Sequence, residues 1–565
     1  MFAFFLRSPM RLDLLKRGAI GWLALGLLGA GGCAGSDTER GGSIVIAVSQ
    51  DPDGLFPPTH EGIVAKTIAE LLFDRLADRG PDLNTLGDAG FVPRLARSWN
   101  WSRDSLAVTF HLDPRARWHD GPPLLASDVR FAFAVFTDPV VGARSGGDLA
   151  AALDSISVTD SLTCTAWFKQ RTPEQFNTLV TNLTPLPEHL LGRVPHDSLR
   201  TSPFVSSPVG SGPFRFVRWD RRQRVEVAAN TAFYRGRPKL DRVIWTIAPN
   251  MTTVVQQLFA GEADLMDQLS VADAASAVKQ KDLAVVVRGD YDYAFVQFNF
   301  FDGASERPNP LFADRAMRRA LTMALDRGAM VRSAFGSMGH VALGPVAIAQ
   351  WSSDTTMAQI HFDRAAAART LDSLGWRAAA DGMRARNGKP LAFSLLVPSS
   401  SVNRQRFAVL IQEQLRQVGV KMDIDVLDNN AMGERFRARR FDAVFGGLVP
   451  TPSPSGIRQS WTSAAANPGG FNQGRFRNPA FDAQVDSAVV ARDQLTARRH
   501  YRAAYQLAID EAPAIWVYEP PRFMGVNKRL HLTALRPDGW WLGLPEWTVA
   551  SGSRVPRDTA TAKTP

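Results

Sequence analysis

Ile44-Val-Ile-Ala-Val48 is an unbroken apolar and mostly β-branched run, and a strand without alternating polar positions has no face to offer to water. It demands a sheet covered on both sides, and the breakers Pro52, Gly54, Pro57 and Pro58 end it sharply. Val64, Ile68, Leu71 and Leu72 then recur at helical spacing, while Leu106, Val108, Phe110 and Leu112 alternate as in a half-buried strand. Ala316, Met317, Ala320, Leu321, Ala324 and Leu325 make one later helical stripe, and Phe407, Leu410, Ile411, Leu415 and Val418 make another. The second stripe stops at Gly419 and gives way to the alternating strand Val420, Met422, Ile424 and Val426, with a further short strand predicted over 441–445. Such recurrence of strand, helix and strand predicts an α/β protein. The chain has 565 residues, room for two to four domains at about 150 residues each. Its 45% hydrophobic content against 21% charged supplies a sizeable core.

The first residues read as an address. Lys16 and Arg17 precede an apolar stretch from Ala19 to Gly32, shorter than the roughly 20 residues a membrane-spanning helix needs, which predicts a signal peptide over 1–32. Met10 offers a second, more compact start. Only two cysteines occur, Cys33 and Cys164, too few for a disulfide framework or a cysteine zinc site. Leu28-Gly-Ala-Gly-Gly-Cys33 resembles the bacterial lipoprotein lipobox, whose cysteine is diacylated and becomes the new N-terminus. The resemblance implies lipidation at Cys33, with a free thiol beside an ordinary cleavage site as the alternative. A flexible glycine-rich tether over 33–43 and a polar, disordered tail over 551–565 would flank the body. Anchoring through two acyl chains places that body in the periplasmic space, on the cell membrane or the outer membrane. The net charge is +10; Arg7, Arg11, Lys16 and Arg17 against Asp13 contribute +3 of it, and the rest is scattered, so nucleic acid is not an expected partner.

No phosphate-binding loop of the form G-x-x-x-x-G-K-[ST] and no H-E-x-x-H metal site occurs, and Gly142-Ala-Arg-Ser-Gly146 misses the spacing of a nucleophile elbow. His111 and His119 stand eight apart around a predicted turn; a surface or core role outweighs a metal pair, so no metal ligand and no cofactor is assigned. Gly210-Ser-Gly212 reads as a turn before an anion cradle. Cys164, in a strand-like context, reads as a buried inert thiol.

An ordered set of short strings resembles one family, the extracytoplasmic solute-binding proteins of peptide, opine and nickel importers of the ABC class (family 5). They are Pro93-Arg-Leu-Ala-Arg-Ser-Trp99, Thr109-Phe-His-Leu112 through Trp118-His-Asp-Gly121, Ala126-Ser-Asp-Val129 and Pro208-Val-Gly-Ser-Gly-Pro-Phe214. Asn230 to Pro238, Gly261-Glu-Ala-Asp264, Asn309 to Arg327, Phe362 to Trp376 and Asp510-Glu-Ala-Pro513 continue the series. The resemblance implies a two-lobed flytrap fold with an extra α+β domain inserted in the first lobe: 44–80, 208–290 and 520–550 for lobe one, 81–207 for the insert and 291–519 for lobe two. It further implies a lipid-anchored, monomeric binding protein without catalysis that hands a peptide-like or other small solute to ABC permease and cytoplasmic ATPase subunits.

Peptide-binding members of that family hold the ligand amine with an aspartate in a loop that here reads Phe441 to Ser455 and lacks it. An ammonium buried without a carboxylate is costly, so an oligopeptide with a free N-terminus is not the obvious solute on sequence alone. Trp461, Phe471, Asn472, Trp540 and Trp541 are candidates to line the cleft, since aromatic planes with a few polar groups suit a partly apolar solute. Arg404 is a candidate fork for a ligand carboxylate. For each of the six, packing or surface exposure is the alternative. A lipid-anchored hydrolase of peptides or glycans and a ligand sensor on the same fold are the competing functions.

Overall fold

The computed structural model describes residues 41–467 and 470–559; the signal peptide, Cys33 and nearly all of the tether lie outside the described residues. Ser43–Val48 forms the first strand and is buried from Ser43 to Ala47. It pairs in parallel with Arg242–Ile247 on one side and Leu265–Leu269 on the other, at the centre of a seven-stranded sheet. Ile44 and Ile46 pack with Ile68, Leu72 and Trp245, and Val45 and Ala47 pack with Val254, Leu258 and Met266. Both faces are covered, as the unbroken apolar run requires.

A four-stranded antiparallel sheet, Ala96–Trp101, Ala107–Leu112, Thr163–Phe168 and Leu153–Asp160, lies between the first and later strands of that sheet in sequence. A five-stranded mixed sheet takes Tyr293–Phe298, Ala392–Pro398, Lys421–Leu427, Ala443–Leu448 and Ala514–Tyr518. The chain passes from the seven-stranded to the five-stranded sheet through 289–292 and returns through 519–521. The helix Val402–Arg416 buries Phe407, Ala408, Ile411 and Leu415, and Gly419 follows it at φ +77. A Cβ there would stand 2.6 Å from the Gly382 carbonyl oxygen, so glycine both reverses the chain and allows the close approach.

Several of the recurring strings turn out to brace the fold. Arg318, 2% exposed, donates to the carbonyls of Phe312, Ala313, Glu511 and Ala512, and so ties the 309–327 string to Asp510-Glu-Ala-Pro513. Cys164 is buried, and burial pushes its thiol up to about 12. The expected disordered tail needs correction over its described part. Asp558 accepts from the Ser43 amide at 2.8 Å and from Arg529 at 2.8 Å, while Arg529 and Arg557 both bind Asp264. A buried carboxylate, 0% exposed at Asp264, needs such partners, and residues 551–559 help to supply them. No helix among the described residues is long and apolar enough to cross a membrane.

Candidate functional site

A cavity of about 610 Å³ opens where three parts of the chain meet. Pro57, Pro58 and His60 come from the loop after the first strand, with Lys66 and Glu70 from the following helix, Ile63–Leu72. Asn177, Thr178 and Thr181 belong to Gln175–Asn182, a helix of the inserted region. Thr451, Pro452, Ser453 and Ser455 come from the loop leaving the five-stranded sheet.

Most charges of the cavity are already neutralised. Glu70 binds Arg75 and stands 3.9 Å from Lys66, and it also accepts from Trp541 Nε1 at 2.8 Å. Asp538 binds Arg79 at 3.1 Å and Arg536 at 2.8 Å. Burial alone would raise the Asp538 carboxyl, but these guanidinium groups outweigh it and hold the group below the ordinary carboxylate range. Burial lowers the His60 imidazole, which favours its neutral form at pH 7. Glu174 is different: it accepts from Thr85 Oγ1 at 2.6 Å, from Ser453 Oγ at 2.6 and 2.8 Å, and from Ser455 Oγ at 2.9 Å. Among the described residues it has no ion pair. The serine bonds join the inserted region to the 451–455 loop in the wall of the cavity.

A second cavity, about 400 Å³, flanks the same Ile63–Leu72 helix on its other side. Ile46, Val48, Trp245, Met251, Val254, Met266 and Trp540 make much of its wall, so it is chiefly apolar and lies between the seven-stranded sheet and the helices that cover it.

The six ligand candidates from sequence do not come together. Trp461 is 1% exposed, packed against Phe295 and Trp516, and donates to the Tyr293 hydroxyl at 3.2 Å. Asn472 is fully buried and bonds the Thr462 and Phe476 carbonyls, stapling its own loop. Phe471 is exposed. Trp541 is buried behind Glu70, and Trp540 stacks on Trp547 and reaches only the second cavity. Arg404 lies over Gly447, where a Cβ would stand 2.2 Å from its guanidinium. None of these six lines the larger cavity. Sequence reasoning missed Glu174 and Thr85; Ser453 and Ser455 lay in the loop it singled out, but nothing local marked a partner 279 residues away.

The model of the bacterial extracellular solute-binding proteins, family 5, middle region, matches residues 90–469. The oligopeptide-binding protein AppA of Bacillus subtilis is 26% identical over 519 residues, which is 89% of this chain and 92% of that protein. Among solved structures, the substrate-binding protein CtaP of Listeria monocytogenes superposes with a TM-score of 0.76 at 21% identity, covering 91% of this chain and all of that one. NikZ of Campylobacter jejuni, solved with nickel and histidine, gives 0.66 at 22% identity over 90% of this chain and 99% of that one. With a family match that takes in strands of all three large sheets and the loop at the larger cavity, and the two-lobed fold shared along nearly its whole length, this chain belongs to the family 5 bacterial extracellular solute-binding proteins.

Proposed function

We propose that this protein is the solute-binding component of an ABC importer, that it encloses a peptide-like solute between two lobes, and that it acts without catalysis. The observation that carries the reading is the 610 Å³ cavity, whose walls come from the seven-stranded sheet, the inserted region and the five-stranded sheet together. A ligand that touches all three favours whichever arrangement brings them together, and this is how binding shifts a two-lobed protein toward its closed form. Similarity to an oligopeptide-binding protein over 89% of the chain supports peptide as the solute class. We assign lobe one to 44–80, 208–290 and 520–550, the insert to 81–207 and lobe two to 291–519; apart from Ser43 at the start of the first strand, the strands of the three large sheets fall within these spans, which supports the assignment. Cys33 would carry the lipid anchor outside the cytoplasm, and permease and ATPase subunits would complete the importer around a monomer of this chain.

Native mass spectrometry of the full chain in mild detergent, mixed with a tryptic digest of casein, tests the reading. Intact peptides should be retained and should raise the melting temperature by mass action. Cleaved peptides would instead establish a hydrolase, and retention of nothing would remove peptide as the solute class.

A further inference from the structure

We propose that the Glu174 carboxylate is the seat of an ammonium group of the solute, an inference that rests on the larger cavity being the solute site. Glu174 directly precedes the helix Gln175–Asn182, at the end where the helix dipole favours an anion. Its hydrogen-bond partners are three neutral hydroxyls, those of Thr85, Ser453 and Ser455, which have one proton each to give and so leave one of its acceptor sites open. They fix the carboxylate in place without cancelling its charge. The other acidic groups of this wall differ: Glu70 holds Lys66 and Arg75, Asp538 holds Arg79 and Arg536, and Glu61 and Asp148 are exposed to solvent. The cations of the cavity are thereby taken, apart from Arg144, which is exposed to solvent.

A latch between the insert and the 451–455 loop would need only a neutral acceptor. Three hydroxyl groups converging on one unpaired carboxylate in the cavity wall make a fixed negative potential instead. An ammonium is a compact charge with three donors, and a carboxylate with roughly four acceptor sites can receive one while keeping its hydroxyl partners. The charge is thus supplied from the inserted region, to the loop from which the sequence offers no carboxylate between Ala443 and Ser455.

The ammonium can come from a chain terminus or from a lysine side chain, and peptide pools separate the two. The full chain in mild detergent is offered three synthetic pools of equal length: free N-termini without Lys or Arg, acetylated N-termini without Lys or Arg, and acetylated N-termini with one Lys. Wild type should retain the first pool, the third, or both about ten- to hundredfold better than the second, the range expected for a charge-assisted hydrogen bond. Glu174→Gln, which keeps an acceptor for the serines, should lower the preferred pool to the level of the second, and Glu174→Asp should restore part of the preference. Equal retention of all three pools by wild type, or an unchanged preference in Glu174→Gln, overturns the inference while leaving the peptide reading intact. Retention of no pool by wild type overturns the peptide reading and the inference with it.

Discussion

A Cβ on Gly210 would stand 1.9 Å from the Leu72 carbonyl oxygen and 3.1 Å from His119 Cε1, and one on Gly212 would meet the Leu71 carbonyl oxygen at 2.5 Å. The two glycines let the chain lie against the end of the Ile63–Leu72 helix, where His119 Nδ1 accepts from the Gly210 amide at 3.2 Å and its Nε2 donates to the Gly212 carbonyl at 3.0 Å. Gly210→Ala should therefore lose about 1–3 kcal/mol of stability, the usual cost of overpacking. Gly433, helical with nothing within 4 Å of its would-be Cβ, is the control, and Gly433→Ala should gain about 0.5–1 kcal/mol. Urea unfolding of both variants checks the pair, and equal midpoints would refute the packing explanation. The turn character of Gly210 to Gly212 was legible in the sequence because glycine spacing is local. The placement of the tryptophans was not. Trp461 and Trp540 are large and apolar enough for either a cleft or a core, and only the neighbours Tyr293, Phe295, Trp516 and Trp547, distant in sequence, decide the matter.

At the scale of elements, the returning link between the sheets holds a protonatable group. Glu519 follows the strand Ala514–Tyr518, is 7% exposed, and presents both carboxylate oxygens to the Ile348 amide at 3.0 and 3.2 Å. Its backbone pairs with His340. Burial pushes this carboxyl up to about 8, against the smaller opposing effect of the Ile348 bond. An acid whose folded pKa lies above its unfolded value binds its proton more tightly in the native state. Its contribution to stability is thus fully present below about pH 4.3, declines as pH rises from there to about 8, and is gone above that. Glu519→Gln, which can still accept from Ile348, should match wild type near pH 5 and exceed it at pH 8.5, read from urea midpoints at the two values. A constant gap between the two proteins across that range would show that Glu519 does not titrate there. The apolar runs made the strands and helices around this link legible, from Ile44–Val48 to Phe407–Val418. The link itself was not, because Glu519 looks like any surface glutamate until Ile348 and His340 are brought beside it.

For the whole molecule, the order in which the chain visits its sheets sets what can move. The seven-stranded sheet takes strands from 43–48, from 214–288 and from 522–527, so it is closed off by both ends of the described chain. Ser43 and Asp558, 515 residues apart, are bonded to each other. The five-stranded sheet is by contrast built from one continuous span between the two crossings, 289–292 and 519–521. Two short links beside each other are the arrangement in which a body swings with few backbone torsions changing. Arg288, Asp290, Asp292 and Arg522 pair with one another across those links, so the crossings are held together while the sheets on either side share no strand. The collinear strings carried this architecture from sequence, whereas the bonds from Ser453 and Ser455 to Glu174 join the five-stranded sheet's loop to the inserted region and had no local signature. If those bonds belong to the enclosed state, a retained peptide should lower the radius of gyration measured by small-angle scattering. Ser453→Ala with Ser455→Ala should weaken the closed form, leaving the free protein unchanged and the peptide-bound protein more open than wild type. Identical radii with and without a peptide that is shown to be bound would mean that the lobes do not close on it, and that the cavity is filled without any swing about 289–292 and 519–521.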